Sequence, residues 1–167
     1  MDTVIAFTAN YLLFVMAAVF GLVWLLRENR SGKVQLAVAS GVGLVLLFVL
    51  IKIAAYLHTD PRPFVQNPAL HPLIQHSADN GFPSDHSAVA GLLATLIALQ
   101  HRLYGVVLAV AAVLVAAARV AAHVHHVQDV LAGLALGVAA AWIGMLLASS
   151  LLPWFASHVA PATGPKE

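Results

Sequence analysis

Residues 119–129, RVAAHVHHVQD, hold one arginine, three histidines and one aspartate between two long apolar runs. Whether a helix passes through this stretch or stops in it decides how often the chain crosses a bilayer. The flanking runs extend from Leu103 to Ala118 and from Val130 to Leu152. One continuous helix from Leu103 to Leu152 would be ~75 Å long at 1.5 Å per residue, against a hydrocarbon core of ~30 Å. No Gly or Pro between Arg119 and Asp129 marks a helix end. The length nevertheless demands a turn, and the histidine-rich stretch is the only polar place for one.

The rest of the chain supports that division. Of its 167 residues 61% are hydrophobic and 9% charged, and the mean hydropathy is +0.90, outside the balance of a soluble domain. Val4 to Leu26, Val34 to Leu57 (broken only by Lys52) and Val130 to Leu152 approach or reach the ~20 residues a span needs. Two shorter runs, Ser87 to Gln100 and Leu103 to Ala118, lie between them. The expected fold is all-α, a polytopic membrane helix bundle of about five transmembrane helices. Residues 1–152 form the transmembrane domain and 153–167 a cytoplasmic tail, disordered from Pro161. Trp154 and Phe155 read as an interfacial belt. The first run follows Asp2, lacks a basic stretch and is too long for a signal-peptide core, so it is expected to remain as an anchor. With no cysteine, disulfides and thiolate sites are excluded, and a net charge of +1 gives no sign of nucleic-acid binding.

Arg27, Arg30 and Lys33 fall in the first loop, Arg102 in the third, and Lys166 in the tail. The positive-inside rule places these in the cytoplasm, with the N-terminus outside. The second loop, 26 residues from His58 to Pro83, and the turn near residues 120–128 then share the outer face. The polar residues collect there: Arg62 in DPRPF, Ser84, Asp85 and His86 in FPSDHS, and Arg119, His123, His125, His126 and Asp129 around the turn. Runs of about 14 to 16 residues cover only ~21 to 24 Å, which recesses this cluster into the membrane surface.

Charges inside membrane segments cost about 2.5 to 3.5 kcal/mol each and mark function. Two guanidiniums converging on one place suit an oxyanion with several oxygens, and phosphate fits them best. The start of the third run adds unpaired N–H groups, the positive end of a helix dipole and the Ser84 hydroxyl. Asp129 follows His125 by four residues and His126 by three, so either ring can be its partner. A carboxylate on one ring nitrogen fixes the tautomer and leaves the other nitrogen free to attack. His86 can serve as acid and base near neutrality.

At these residues the chain resembles the type-2 phosphatidic acid phosphatase superfamily. The matching blocks are Lys52 with Arg62-Pro63, then Pro83-Ser84-Asp85-His86, then Arg119 with His125 and Asp129. Within that superfamily DPRPFV and ADNGFPSDHS look most like the bacitracin-resistance type of undecaprenyl-diphosphate phosphatase. The resemblance covers roughly residues 34 to 152. It implies a transmembrane phosphatase domain with a phosphohistidine on His125, oriented by Asp129, and with His86 as the acid. It further implies phosphate binding by Arg62, Arg119, Ser84, Lys52 and Asp85, and no metal or other cofactor. The substrate would be an isoprenoid or glycerolipid phosphate in the bilayer. Nine residues separate Lys52 from Arg62 where the usual block has six, Ala118 stands where Ser is usual, and Asp85 stands where Gly is usual.

Phosphatidylglycerophosphate and phosphatidate are alternative substrates. A metal-ion transporter or binding protein is an alternative of another class, with His86, His123, His125, His126, Asp79 and Asp129 as ligands. Arg62 and Arg119 oppose it, since their charge repels a cation. His58, His71, His76 and His101 read as solvated interfacial residues, and Gly133 with Gly137 as a small-residue face for helix packing.

Overall fold

A computed structural model describes the backbone of residues 1–159 and the side chains of residues 1–152. Lys166, the stretch from Pro161 and the side chains of Trp154 and Phe155 lie outside the described residues. Each expected apolar run folds into a helix: α1 (Asp2–Arg27), α2 (Arg30–Leu57), α4 (Asp85–Gln100), α5 (Arg102–Ala121) and α6 (Val127–Val159), with a single turn, α3 (Pro63–Gln66), in the loop between α2 and α4. Four of them, α1, α2, α5 and α6, are long and apolar enough to cross a membrane.

The fifth long helix, α4, has only 16 residues, and eight of them are buried, from Ser87 to Ile97. A helix apolar all round belongs in the middle of a bundle. α4 accordingly packs against α5 and α6, while α2 packs along α6. Small residues set the approach of α4 and α6. A β-carbon on Gly137 would strike the Ala88 carbonyl, and one on Gly133 the Ser84 carbonyl. The expected small-residue face is therefore the α4 contact, where packing draws two backbones together. Away from the core, Phe7, Phe14 and Phe48 are exposed, as suits helix faces turned to lipid.

The two ends of the bundle are built differently. At one end Asn29 caps α2 by accepting from Gly32 N at 2.8 Å, Trp24 donates to the Lys33 carbonyl at 2.9 Å, and His101 pairs with Glu28 at 2.9 Å. At the other end the loop 58–84 folds over the turn between α5 and α6. Ile74 joins Ala9, Ala118, Ala122 and Val124 in a small apolar cluster that pins the loop to α1 and α5. Asn80 organises the loop. Its Nδ2 donates to the carbonyls of Ala55 and His58 at 3.2 and 3.1 Å, and its Oδ1 accepts from Asp60 N and Phe82 N at 2.9 and 3.0 Å. All four of its hydrogen-bonding places are filled.

The turn that the sequence leaves unmarked ends α5 by a paired-carbonyl cap. His123 adopts φ 61°, the left-handed conformation that usually calls for Gly but that His tolerates better than most residues. His123 N then donates to the Val120 carbonyl at 2.9 Å and Val124 N to the Arg119 carbonyl at 3.3 Å. These are the two bonds of a Schellman cap. The chain emerges from it with Val124 buried and His125 directed inward.

Candidate active site

His125 is 3% exposed and its two ring nitrogens have different partners. Nδ1 lies 2.9 Å from the Gly81 carbonyl and 3.3 Å from Asp129 Oδ2. Both are acceptors, so Nδ1 carries the proton. Nε2 faces Arg62 Nη1, a donor, at 3.3 Å and keeps its lone pair. Asp129 is fully buried, and its Oδ2 also accepts from His126 N at 2.8 Å. Gly81 eases this approach, since a β-carbon there would sit 3.2 Å from Asp129 Oδ2 and 3.1 Å from the Asp60 carbonyl, and those neighbours would have to give by a few tenths of an ångström. Burial, then the charges of Arg119 and Arg62, hold the His125 pKa below the usual histidine value, against the opposing pull of the Asp129 hydrogen bond.

The two guanidiniums beside it are both buried but are satisfied to different degrees. Arg62 donates through Nε to Asp79 at 2.9 Å, and its Nη2 pairs with the same carboxylate at 2.8 Å and reaches the Asn80 carbonyl at 3.4 Å. Its Nη1 donates to the Val124 carbonyl at 2.8 Å besides facing His125. All five N–H groups of Arg62 thus have an acceptor within reach. Arg119 is 2% exposed, and only its Nη1 finds a partner, the Ala9 carbonyl of α1 at 3.5 Å. Nε and Nη2 of Arg119 are buried with no partner among the described residues. A buried cation in that condition is costly unless an anion completes it.

Arg119, Arg62, His125, His86, His76 and Lys52 line one cavity of about 340 Å³. The arrangement gathers Lys52 despite its longer spacing from Arg62, although the lysine is exposed and its Nζ rests 5.3 Å from the centre of the Phe48 ring. Asp85 opens α4 at the rim and is also exposed. Ser84 is fully buried, takes a hydrogen bond from Ser87 Oγ at 3.2 Å, and is not among the residues lining the cavity. Ile51, Lys52 and Asp85 also belong to a second, apolar groove between α2 and α4. The polar cavity therefore opens sideways onto hydrocarbon-facing surface.

His76 differs from its expected place in solvent. It is half-buried in the cavity, with its ring T-shaped to His125 at 6.0 Å between centres. Burial, then Arg62 and Arg119, lower its pKa. Asp79, beside it in the loop, is held below the usual carboxylate range: burial raises its pKa, but the hydrogen bonds from Arg62 and Ser77 and the Arg62 charge outweigh that. Spacing along the chain carries no sign of either residue's role, because the loop's partners are distant in sequence. The one signal available is that a required, buried arginine needs a carboxylate, and Asp79 is near enough in the loop to supply it.

The histidine and aspartate set of the metal reading is not gathered. His123 turns to the His71 carbonyl at 3.2 Å and Asp79 is paired with Arg62. Among the described residues, Asp60, His126 and Asp129 have ligand atoms within 4.8 Å of one another. They lie behind His125, where Asp60 already accepts from Gln128 at 2.6 Å and from Gln66 at 3.2 Å. His126 Nδ1 is 3.0 Å from Asp60 Oδ2 without hydrogen-bond alignment, and Asp129 Oδ1 has no partner among the described residues. These three could hold a divalent ion, but the cavity with the arginines faces the other side of His125.

Residues 36–152 match the PAP2 superfamily. The chain is 33% identical over 141 residues to the bacitracin transport permease protein BcrC of Bacillus licheniformis, covering 84% of this chain and 68% of that one. It is 28% identical over 156 residues to the undecaprenyl-diphosphatase BcrC of Bacillus subtilis, covering 92% and 78%. Among solved structures, Aquifex aeolicus LpxE superposes with a TM-score of 0.65 at 23% identity over 87% of this chain and 83% of that one. The PAP2-type phosphatidylglycerolphosphate phosphatase of Bacillus subtilis gives 0.59 at 22% identity over 90% and 77%. At these identities the structural likeness is one of fold.

Proposed function

The chain belongs to the PAP2 superfamily, and from that premise we propose that it is a membrane lipid phosphatase that hydrolyses undecaprenyl diphosphate to undecaprenyl phosphate. The observation that carries this reading is the one cavity lined both by Arg119, a buried guanidinium with two nitrogens unpartnered among the described residues, and by His125, whose Nε2 keeps its lone pair. One relative bears a permease name and another a diphosphatase name. Arginines and a neutral, oriented histidine in one cavity favour the second.

In the proposed reaction His125 Nε2 attacks the terminal phosphorus as the bond from phosphorus to the bridging oxygen breaks. His86 gives its proton to that oxygen, and undecaprenyl phosphate leaves. The developing charge on Nδ1–H is balanced by the Gly81 carbonyl and Asp129. Arg119 and the first-turn N–H groups of α4 hold the phosphoryl oxygens, where most phosphoryl-transfer catalysis arises. Arg62 adds its charge and fixes the His125 ring. His86, now neutral, takes a proton from water, the hydroxide attacks phosphorus, the P–N bond breaks, and inorganic phosphate departs with Nε2 restored. Lys52 faces the leaving lipid phosphate, Ser84 holds the start of α4 through its backbone bonds to Asp129 and Ala88, Asp85 stands at the rim, and the apolar groove beside Lys52 takes the first part of the lipid chain. Residues 1–152 are the phosphatase domain, the chain continues on the cytoplasmic side after it, and the basic loops put the site on the outer face. The released monophosphate is the carrier lipid of cell-wall synthesis, which connects the activity to bacitracin resistance.

The test is phosphate release by the purified protein from undecaprenyl diphosphate, phosphatidylglycerophosphate and phosphatidate in one detergent. The diphosphate should be the best substrate, turnover should survive EDTA, and vanadate should inhibit. A preference for either glycerolipid would change the substrate. Loss with EDTA and recovery with Zn²⁺ would overturn the mechanism.

A further inference from the structure

We propose that His76 is a further phosphate-contacting residue of this site, donating a hydrogen bond to a phosphoryl oxygen beside those held by Arg119. The inference rests on the phosphatase reading for the identity of the anion. A transferring phosphoryl group presents three non-bridging oxygens, and the charge that develops on them must be met by donors already in place. Arg62 has every N–H engaged by Asp79, the carbonyls of Asn80 and Val124, and His125. It supplies charge but no open N–H in this arrangement. Ser84 does not line the cavity, and His86 is occupied with the bridging oxygen. Arg119 has three N–H groups without a partner among the described residues, one on Nε and two on Nη2, all from one planar fork, while the three phosphoryl oxygens carry further lone pairs for a donor from another direction.

His76 is placed to supply such a donor. It lines the same cavity and stands edge-on to the attacking ring at 6.0 Å, so a phosphorus approached by His125 lies within reach of a neighbouring imidazole. Its position is fixed from two sides. Ile74 is buried in the apolar cluster beneath the loop, and Asp79 is clamped to Arg62. Its Nδ1 is only 3.4 Å from the Ser77 carbonyl, a bond at the limit of distance, so the ring is weakly committed to the protein.

The electrostatics run the same way. The charged and titratable groups facing His76 across the cavity are Arg62, Arg119, Lys52, His86, His125, Asp79 and Asp85. Burial, then the two arginines, lower the pKa of the empty-site ring and so favour its neutral form. A phosphoryl dianion seated on Arg119 reverses that field and favours the ring as a donor.

The experiment compares His76→Phe, which keeps a flat ring without a donor, with His76→Gln, which restores an N–H near the place of Nε2. Orthovanadate affinity, measured by equilibrium binding, and kcat/KM on undecaprenyl diphosphate are read for both. His76→Phe should lose about ten- to a hundredfold in each, the range of a hydrogen bond to a charged group, while His76→Gln keeps most of both. A packing role predicts the opposite order. Wild-type vanadate affinity in His76→Phe would overturn the proposal. If the unmodified protein hydrolyses none of the three lipids yet binds vanadate through His76, the phosphatase reading fails and this inference stands. If it binds no vanadate at all, both fail.

Discussion

Arg62 and Arg119 line the same cavity with the same functional group, yet the protein saturates one and leaves the other open. Arg62 stands at the start of α3 in a loop that folds back on it, and its nitrogens are taken by Asp79, Asn80, Val124 and His125. Arg119 lies buried in the last turn of α5 and keeps two nitrogens without a partner among the described residues. A guanidinium that is fully bonded holds structure together. One that is buried and half-bonded carries a desolvation cost that only a bound anion offsets. In the proposed function the two arginines of the sequence pattern therefore divide the work: Arg62 fixes the loop and the His125 ring, and Arg119 meets the substrate.

The largest effect should come from the open member. Arg119→Ala should lower kcat/KM by about a thousandfold or more, because donors aimed at developing phosphoryl charge are worth several kcal/mol. Its thermal midpoint in detergent should not fall, since an uncompensated buried charge has been removed. A lower midpoint in Arg119→Ala would break the division.

Arg62→Ala should lose both properties, by orders of magnitude in turnover and by about 1 to 3 kcal/mol in stability, because the buried Val124 carbonyl loses its donor and the loop its anchor. The comparison of midpoints between the two variants is the decisive reading. An unchanged midpoint in Arg62→Ala would assign it to substrate as well.

Gly81→Ala sharpens the same point from the Arg62 side. Its added carbon lies 3.4 Å from Arg62 Cγ and 3.2 Å from Asp129 Oδ2. Moving either neighbour by a few tenths of an ångström loosens the carbonyl that holds His125 Nδ1, and kcat should fall about tenfold or more with little change in KM. A KM effect alone would place Gly81 in substrate binding.

A smaller, directional effect concerns pH. In the proposed reaction His125 attacks as the neutral ring, and burial with the two arginines lowers its pKa below 6.5. The neutral form therefore already dominates at pH 6.5 and is lost only as pH falls through the lowered value. The acid limb of kcat/KM that belongs to His125 should lie below 6.5, and a limb above it would contradict the field assigned to the arginines.

Much of this architecture is legible in the amino-acid sequence. Five helices follow from run length, and the turn at 122–126 follows from the impossibility of a ~75 Å helix in a ~30 Å core. How the turn is made is not legible, because His123 takes a conformation that sequence reading expects of Gly. The clustering of Arg62, His86, Arg119 and His125 is readable from their common place at one end of the helices. The difference between the arginines is not, since the partners of Arg62 come from residues 79, 80, 124 and 125 and are set only by folding of the loop. His76 is hidden for the same reason. Spacing allows both His125 and His126 to pair with Asp129. Burial and the Gly81 carbonyl separate them, with His126 turned to Asp60 behind the site.

The central claim is that His125, in the same cavity as Arg119, takes the phosphoryl group. Rapid-quench labelling with radiolabelled undecaprenyl diphosphate tests it most directly, by following acid-labile phosphohistidine in the unmodified protein, His125→Asn and His126→Asn. The account predicts label on the unmodified protein and on His126→Asn, and none on His125→Asn. Label that persists on His125→Asn and disappears from His126→Asn would contradict it and move the nucleophile one residue along the turn.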